Sequence, residues 1–279
     1  MDSDTGEKTR CAVVTGGNKG IGFEICRQLA ASGISVVLTA RDVTKGLEAV
    51  EKLKHSFGLS NVVFHQLDVM NPITISSLAE FIRSQFGKLD ILKDQNKGKP
   101  NLKQMVKETY ELAQECLETN YYGVKSVTKG LIPLLQLSDS PRIVNVSSGA
   151  GKLKYISDEK ALEMLSDGDG LTEERVDEIV NMFLMDFKED SLETKGWPLY
   201  MPAYKISKVC LNAYTRILAR EFPTFRVNCA CPGWVKTDIN CNTGFLTTKE
   251  GAEKIVNLAL VPDDGPSGLY FTNGEVTPF

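Results

Sequence analysis

A glycine-rich turn between a short apolar run and a helical pattern constrains the fold of this chain more than any other feature. The run Cys11 to Thr15 (CAVVT) is apolar and β-branched, which predicts a strand. The turn Gly16-Gly17-Asn18-Lys19-Gly20-Ile21-Gly22 follows directly, and a helical pattern continues beyond it. Glycines in this context let the backbone approach a pyrophosphate at a helix N-terminus, so the pattern predicts a dinucleotide site. A glycine turn with a purely structural role is the alternative.

The end of the second predicted strand bears on which dinucleotide is bound. Ser35 to Thr39 (SVVLT) is followed by Ala40-Arg41-Asp42, and Lys19 sits in the glycine turn. An acid at this strand end usually holds the ribose of NAD, whereas cations suit the additional phosphate of NADP. Arg41 and Lys19 therefore predict NADPH. Asp42 is the counter-argument, unless it begins the next helix as an N-cap together with Thr44.

Strand and helix patterns alternate along the chain, which predicts an α/β fold of the Rossmann type, a doubly wound parallel sheet in a single domain, 1–279. We expect strands at 11–15, 35–39, 61–66, 89–92, 142–147, 225–230 and 268–271. We expect helices at 20–31, 43–56, 73–86, 104–136, 203–221 and 247–260. Gly16, Asp68, Ser148 and Pro232 follow strand ends, so they should converge at the ligand-binding edge of the sheet.

A long connection, 149–201, interrupts the alternation. It contains two helical patterns, 158–166 and 172–190, and the second has apolar residues at helical spacing, among them Ile179, Val180 and Phe183. This helical insertion lies between a serine and a tyrosine of chemical interest, so it should pack near the active site. We expect its apolar face to cover the helix 104–136 and to keep the protein a monomer.

The serine and the tyrosine suggest proton chemistry. Ser148 follows the predicted strand RIVNVSS, and Tyr204 precedes Lys208 by one helical turn in AYKISK. An ammonium beside a phenol should lower the phenol's pKa and suit it to proton transfer at neutral pH. A chance occurrence of Tyr and Lys at this spacing is the alternative reading.

Composition excludes several functions. The chain has 279 residues and a net charge of −4, which argues against nucleic acid as a partner. Apolar stretches are too short for a membrane span, and the start MDSDTGEKTR resembles neither a secretory signal nor a transit peptide, so we expect a cytoplasmic protein. The seven scattered cysteines fit free thiols, although Cys229 and Cys231 share a strand face and could bind a ligand or form a bridge. Because the chain has only two histidines, no metal site is expected.

Taken together, these motifs resemble the short-chain dehydrogenase/reductase family over nearly the whole chain. TGGNKGIG is similar to its cofactor loop, LDV with Asp68 to its adenine-contacting segment, and NVSS with Ser148 to its catalytic serine strand. AYKISK, CPGWVKTD and Asn120 of LETNYYG are similar to its remaining signatures. The insertion before Tyr204 resembles the monomeric carbonyl reductase branch, and within it plant reductases.

The resemblance implies an oxidoreductase that uses NADPH to reduce a ketone of a plant specialised metabolite, an alkaloid or a monoterpenoid. It implies catalytic roles for Asn120, Ser148, Tyr204 and Lys208, the last of which would lower the pKa of Tyr204. It implies cofactor contacts for Gly16, Asn18, Lys19, Gly20, Ile21, Gly22, Arg41, Asp68, Val69, Asn120, Tyr204, Lys208, Pro232, Gly233, Val235 and Thr237. For the substrate we expect Ser148, Met182, Phe183, Met201 and Trp234. From the residues alone, Asn120 is equally a polar helix residue satisfied by its neighbours.

One segment departs from the family. Its members follow the fourth strand with Asn-Asn-Ala-Gly, whereas here LDIL runs into Lys93-Asp94-Gln95-Asn96-Lys97-Gly98. We expect 93–103 to form a solvated loop, with the strand ending early or the loop swinging outward, because an unpartnered buried charge is costly. Cofactor affinity should then suffer. A catalytically impaired Rossmann protein is therefore the alternative to an active reductase, with Asn96 and Gly98 as partial substitutes for the missing motif.

Overall fold

A mixed sheet of eight strands forms the centre of the computed structural model, which describes residues 10–94 and 108–279. The strand order is β3-β2-β1-β4-β5-β6-β7-β8, parallel from β3 to β7, with β8 antiparallel at one edge. The strands are β1 Cys11–Val14, β2 Ser35–Ala40, β3 Val62–Gln66, β4 Ile91–Asp94, β5 Arg142–Val146, β6 Arg226–Cys231, β7 Tyr270–Thr272 and β8 Glu275–Thr277. The predicted Rossmann-type sheet is confirmed, and β8 is an element that the sequence analysis missed.

Helices cover both faces of the sheet. They are α1 Gly20–Ala31, α2 Val43–Phe57, α3 Pro72–Phe86, α4 Tyr110–Leu117, α5 Gly123–Leu135, α6 Glu159–Ser166, α7 Glu173–Lys188, α8 Pro202–Glu221 and α9 Thr248–Ala259. Local chemistry sets several of these limits: Asn71 caps α3, Pro72 occupies its first turn, and Gly87 ends it in the left-handed conformation.

Two hydrophobic clusters divide the core, one on each face of the sheet. The first joins α3, α4, α5, α7 and α8 to alternate residues of the strands, including Val13, Leu92 and Ile143. The second joins α1, α2 and α9 to the intervening residues, including Val14, Ile91 and Val144. Successive side chains of a strand point to opposite faces of the sheet, so neighbouring residues of one strand contact different helix layers.

Strand β4 runs further than expected. Lys93 and Asp94 belong to the strand, and both are fully buried. The Thr15 hydroxyl donates to Asp94 Oδ1 at 2.6 Å, and Lys93 Nζ donates to the Thr15 carbonyl at 3.3 Å. The expectation of a solvated loop starting at Lys93 is therefore wrong, because the carboxyl end of β1 supplies polar partners for both side chains. Asn96 and Gly98 lie outside the described residues.

The predicted helix 104–136 is an α-helix broken by a wider turn. Residues 104–107 lie outside the described part; α4 begins at Tyr110, and a π-helical turn, Glu118–Tyr122, joins it to α5. Single π turns are frequent at functional sites because they insert one extra residue into a helix. Here the turn contains Asn120, which is buried.

The insertion packs on this broken helix through its second segment, α7. The Tyr121 hydroxyl donates to Asp177 at 2.9 Å, and Lys125 forms ion pairs with Asp177 at 2.7 Å and Glu173 at 3.1 Å. Ile179, Val180 and Phe183 of α7 are buried in the first hydrophobic cluster. The predicted burial of this apolar face against the helix before β5 is confirmed.

Candidate functional site

A cavity of about 390 Å³ opens at the carboxyl ends of the parallel strands. This is the edge at which doubly wound sheets bind ligands. The cavity is lined by Thr15, Gly16, Asn18, Lys19, Gly20, Thr39, Ala40, Arg41, Leu67, Asp68, Val69, Met70, Thr119, Lys236, Thr237, Asp238, Asn242 and Thr248. The lining thus includes eight of the predicted cofactor residues: Gly16, Asn18, Lys19, Gly20, Arg41, Asp68, Val69 and Thr237.

The glycine turn forms a cradle for an anion at one wall of this cavity. Gly16 has a φ of +61°, which favours glycine, and a Cβ added to Gly22 would meet the Gly16 carbonyl oxygen at 2.3 Å. Helix α1 begins there, and its N-cap residue Lys19 makes no side-chain capping hydrogen bond. The first amides of the helix therefore point at the cavity with the positive end of the helix dipole, an arrangement that fits a pyrophosphate.

The charges around the cradle favour a further phosphate. Arg41 lines the cavity, whereas Asp42 caps α2 by accepting from the Lys45 amide at 3.0 Å. The N-cap alternative for Asp42 is confirmed, and the backbone amides of both Lys45 and Thr44 interact with its carboxylate. Lys19 Nζ lies 2.8 Å from Asp238 across the cavity in a pair whose two side chains are 62% and 69% exposed.

The remaining predicted cofactor residues lie apart from this lining. Ile21 and Gly22 are buried in α1, and Val235 is buried in the second hydrophobic cluster. Pro232 is buried, and Gly233 has a φ of +90° in the turn after β6. The lining also contains residues that the sequence analysis missed: Thr15, Thr39, Ala40, Leu67, Met70, Thr119, Lys236, Asp238, Asn242 and Thr248. Several of these residues are direct neighbours of predicted ones in the sequence, and this adjacency is the feature by which they could have been predicted.

Ser148 and Tyr204 come together at the end of β5. Their side chains share a hydrogen bond, and the Tyr270 hydroxyl donates to the Ser148 carbonyl at 3.0 Å. Burial raises the pKa of Tyr204 to about 12, and the Ser148 hydrogen bond acts in the opposite direction. The expected fall in the pKa of this phenol is therefore not what the structure shows, because desolvation outweighs the favourable contacts.

Lys208 lies one turn along α8 from Tyr204. Its side chain is buried, with Nζ donating to the Val146 carbonyl at 3.0 Å and lying 5.8 Å from the centroid of the Tyr204 ring. Burial lowers the pKa of Lys208 to about 8. The lysine is thus close to losing its charge at neutral pH, which suits a group that exchanges protons.

Asn120 approaches α8 from the π turn. Its Nδ2 atom donates to Ser207 Oγ at 3.2 Å and to Cys116 Sγ at 3.3 Å. Ser207 precedes Lys208, so the amide reaches the segment that carries the lysine. The structure brings together Asn120, Ser148, Tyr204 and Lys208, all of which lie outside the lining of the 390 Å³ cavity.

Comparison with known proteins assigns the family. The short chain dehydrogenase model matches residues 10–159, and an enoyl-(acyl carrier protein) reductase model matches 189–263. The chain belongs to the short-chain dehydrogenase family. As a member of this family it is an oxidoreductase.

Several relatives cover almost the whole chain. Salutaridine reductase of Papaver bracteatum is 59% identical over 307 aligned positions, covering 99% of this chain and 98% of that protein. A (+)-neomenthol dehydrogenase of Capsicum annuum is 53% identical, with 97% and 98% coverage, and carbonyl reductase (NADPH) 3 of Rattus norvegicus is 40% identical, with 92% and 92%. The solved structure of salutaridine reductase from Papaver somniferum superposes with a TM-score of 0.88 at 58% identity, covering 94% of this chain and 99% of that chain.

The residues predicted to contact the substrate of this short-chain dehydrogenase have different surroundings. Phe183 is fully buried between Phe187 and Trp197, which argues for a packing role. Met182 is half-buried, and Met201 is half-buried with a φ of +50° directly before α8. Trp234 is 53% exposed, and its indole donates to the Thr243 carbonyl at 3.0 Å.

The cysteines of this short-chain dehydrogenase are free thiols. Cys231 Sγ accepts backbone N–H groups of Gly149 at 3.2 Å and Gly233 at 3.4 Å, while Cys229 is buried, so both serve packing and turn geometry. In residues 10–94 and 108–279, no group of three His, Cys, Asp or Glu could hold a metal ion. The helices of that part are all too short or too polar to cross a membrane.

Proposed function

We propose that this protein reduces a ketone to an alcohol with NADPH. The observation that carries the proposal is that Ser148, Tyr204 and Lys208 lie together at the carboxyl end of β5, on the sheet edge at which the glycine cradle also lies. Relatives with 53% to 59% identity are named as a salutaridine reductase and a neomenthol dehydrogenase, and a more distant one as an NADPH carbonyl reductase. These names support the same chemistry for this chain.

The cradle residues hold the cofactor, and Ser148, Tyr204 and Lys208 handle the proton. NADPH, when bound, supplies the hydride. Tyr204 donates the proton to the substrate oxygen, and Ser148, already hydrogen-bonded to Tyr204, orients that oxygen. Lys208 stabilises the phenolate that Tyr204 becomes, since an ammonium one helical turn away favours the charged form. Asn120 holds the segment around Ser207 and Lys208 through its amide.

The preference for NADPH rests on Arg41 and Lys19. Both line the cavity, and Asp42 is occupied as the N-cap of α2 rather than in the lining. A charge-assisted contact to a phosphate contributes about 1.5–3 kcal/mol, which is roughly one to two decades of affinity.

For the substrate class we propose an alkaloid or monoterpenoid ketone of plant specialised metabolism. The named plant relatives support this class. Met201 and Trp234 present apolar surface near the start of α8 and after β6. Such side chains suit a bulky, largely apolar ketone better than a charged metabolite.

An inactive Rossmann protein is the second candidate, and the structure weakens the argument for it. One part of that argument had strand β4 ending early at Lys93, but the strand continues through Asp94 and both charged residues have polar partners. NADPH should quench the tryptophan fluorescence of the purified protein on binding, and the protein should oxidise NADPH in the presence of alkaloid or monoterpenoid ketones. Binding without turnover across such a panel would favour the inactive candidate. If the protein neither binds NADPH nor oxidises it, the proposal is wrong.

We further propose that the chain acts as a single-domain monomer in the cytoplasm. Helix α7 covers the helix before β5, and Lys125 of α5 forms ion pairs with Glu173 and Asp177 of α7. These contacts support a helix surface that is covered within one chain and is not available to a second copy. Light scattering should give the mass of one chain, 30.7 kDa. A stable dimer or tetramer at micromolar concentration would count against this state.

A further inference from the structure

The two charged residues at the end of β4, Lys93 and Asp94, face opposite sides of the sheet. Lys93 and Asp94 are adjacent in a strand, so their side chains point to opposite faces of the sheet. Asp94 shares its face with Leu92, which packs in the cluster that contains α8. Lys93 shares its face with Ile91, which packs in the cluster that contains α1. Asp94 is therefore directed toward the layer of the helix that carries Tyr204 and Lys208.

The carboxylate of Asp94 is held in place beside β5. The Thr15 hydroxyl donates to it at 2.6 Å, and Asp94 is paired in register with Asn145. Asn145 donates in turn to Thr215 of α8 at 3.0 Å, while Lys208 Nζ donates to the carbonyl of the next residue, Val146, at 3.0 Å. Asp94 and Lys208 thus approach the same short stretch of β5 from the neighbouring strand and from the covering helix.

Lys208 needs a counter-charge because it is buried. Apart from Tyr204 on its own helix, the groups that interact electrostatically with it are Cys116 of α4, Asp94 of β4, and Cys231 and Cys229 of β6. Burial raises the pKa of the Cys116 and Cys229 thiols to about 12, so these two are neutral at the pH of the reaction. Within the described part of the chain, Asp94 is the carboxylate among these groups.

We propose that Asp94 is a positioning residue of the reduction: its buried carboxylate keeps the Lys208 ammonium charged beneath Tyr204. Asp94 does not touch the reacting atoms, and it acts through Lys208. The inference rests on the proposed function, since it takes the roles of Tyr204 and Lys208 from there. On this proposal, the residues that replace the family's motif at the end of β4 contribute to catalysis and do not impair it.

The pH profile of turnover tests the proposal. Asp94→Asn keeps the shape and an oxygen that accepts from Thr15, but it removes the charge. The pH above which kcat falls should then move down by roughly one unit, the order of magnitude expected when one nearby buried charge is removed. Asp94→Glu should restore the midpoint toward that of the unmodified protein. An unmoved midpoint, or an equal loss of kcat at every pH, would overturn the inference.

Asp90→Asn is the matched control. Asp90 is also buried, and it accepts from the Cys11 amide at 2.8 Å and pairs with Lys88 at 2.7 Å at the amino end of β4. It lies roughly 13 Å from Asp94 along the strand, at ~3.3 Å per residue. Its loss should lower the melting temperature and leave the pH midpoint in place. A midpoint shift as large as that of Asp94→Asn would contradict a specific role for Asp94.

A stability cycle covers the case in which Asp94→Asn folds poorly. Lys208→Met should raise the melting temperature more in the Asp94→Asn background than in the unmodified protein, because only the former leaves the lysine without its counter-charge. An equal rise in the two backgrounds would overturn the inference. Tyr204→Phe separates the two proposals: if it keeps turnover, the proposed function fails, and if it is inactive while the Asp94→Asn midpoint is unmoved, only the inference about Asp94 fails.

Discussion

Two regions of the molecule use charge in different ways: the lining of the 390 Å³ cavity, called the outer end of the site, and the surroundings of Lys208, called the inner end. At the outer end, Lys19 and Asp238 form a pair that is more than half exposed, and Arg41 is also exposed. At the inner end, Lys208 is 4% exposed and Asp94 is fully buried. Exposed pairs contribute little to stability and can exchange their partner for a phosphate, whereas buried groups change their proton affinity. The outer end is therefore suited to choosing a cofactor and the inner end to moving a proton.

Removal of the Tyr204 hydroxyl is the strongest test of the inner end. Tyr204→Phe keeps the ring and loses the acidic proton, so turnover should fall by roughly 10²–10⁴ while NADPH binding is nearly unchanged. Steady-state turnover and the quenching of tryptophan fluorescence by NADPH measure the two effects separately. Near-normal turnover would show that the proton comes from another group.

Reversal of the Arg41 charge tests the outer end. Arg41→Asp should reduce the preference for NADPH over NADH in kcat/KM by about one to two decades, since it replaces an attraction to the phosphate by a repulsion. Arg83→Asp is the control, because Arg83 is similarly exposed but pairs with Glu80 on α3. Equal kcat/KM for the two cofactors in the unmodified protein would remove the basis for this role of Arg41.

The burial of Lys208 should appear in the pH dependence of stability. Its pKa is about 8 when folded against an ordinary 10.5, so the unfolded chain binds more protons between these values and stability should rise with pH there. The penalty is full below pH ~8 and absent above ~10.5. Lys208→Met should therefore gain stability relative to the unmodified protein at pH ~7 and lose on the order of 2 kcal/mol of that gain by pH ~10.

Denaturant unfolding of both proteins at several pH values measures this gain. Lys160→Met, at a lysine with 61% side-chain exposure, is the control and should show a much smaller pH trend. If the Lys208→Met difference is constant across this range, the folded-state pKa of Lys208 is not depressed.

The same contrast between buried and exposed charge recurs in the insertion and gives the smallest effect. Lys125 has 11% side-chain exposure and bridges Glu173 and Asp177 of α7, whereas the pair of Lys160 with Glu178 is largely exposed. Lys125→Ala should lower the free energy of unfolding by about 1–2 kcal/mol and Lys160→Ala by much less. Equal losses in a denaturant titration would contradict the distinction.

Much of the fold follows from local patterns in the sequence. The apolar runs at Cys11–Val14 and Ser35–Ala40 form strands where the pattern predicts them, and α1 has its predicted limits. β8 was missed because it is three residues long with a single apolar residue, and its pairing with β7 fixes it. Short edge strands depend on such pairing rather than on their own composition.

The site could be predicted from the sequence only in part. The motifs around Ser148, Tyr204 and Asp68 were found, because each follows a strand or lies at helical spacing. The burial of Lys93 and Asp94 was not predicted, since the partner that makes it possible, Thr15, is remote in sequence and adjacent only in the sheet. The sign of the Tyr204 pKa shift was also missed, because desolvation depends on packing that no local pattern reports.

The π turn at Glu118–Tyr122 has a consequence for how this helix can change during evolution. A residue added to a helix rotates everything beyond it by ~100°. With that offset in place, α4 packs against α8 and α5 against α3, while Asn120 turns to Ser207. Deleting one residue would yield a more regular helix, but no single rotation of it would preserve all three contacts. The segment is thus locked in length: a substitution changes the contacts of one side chain, whereas a deletion changes the contacts of every residue beyond it.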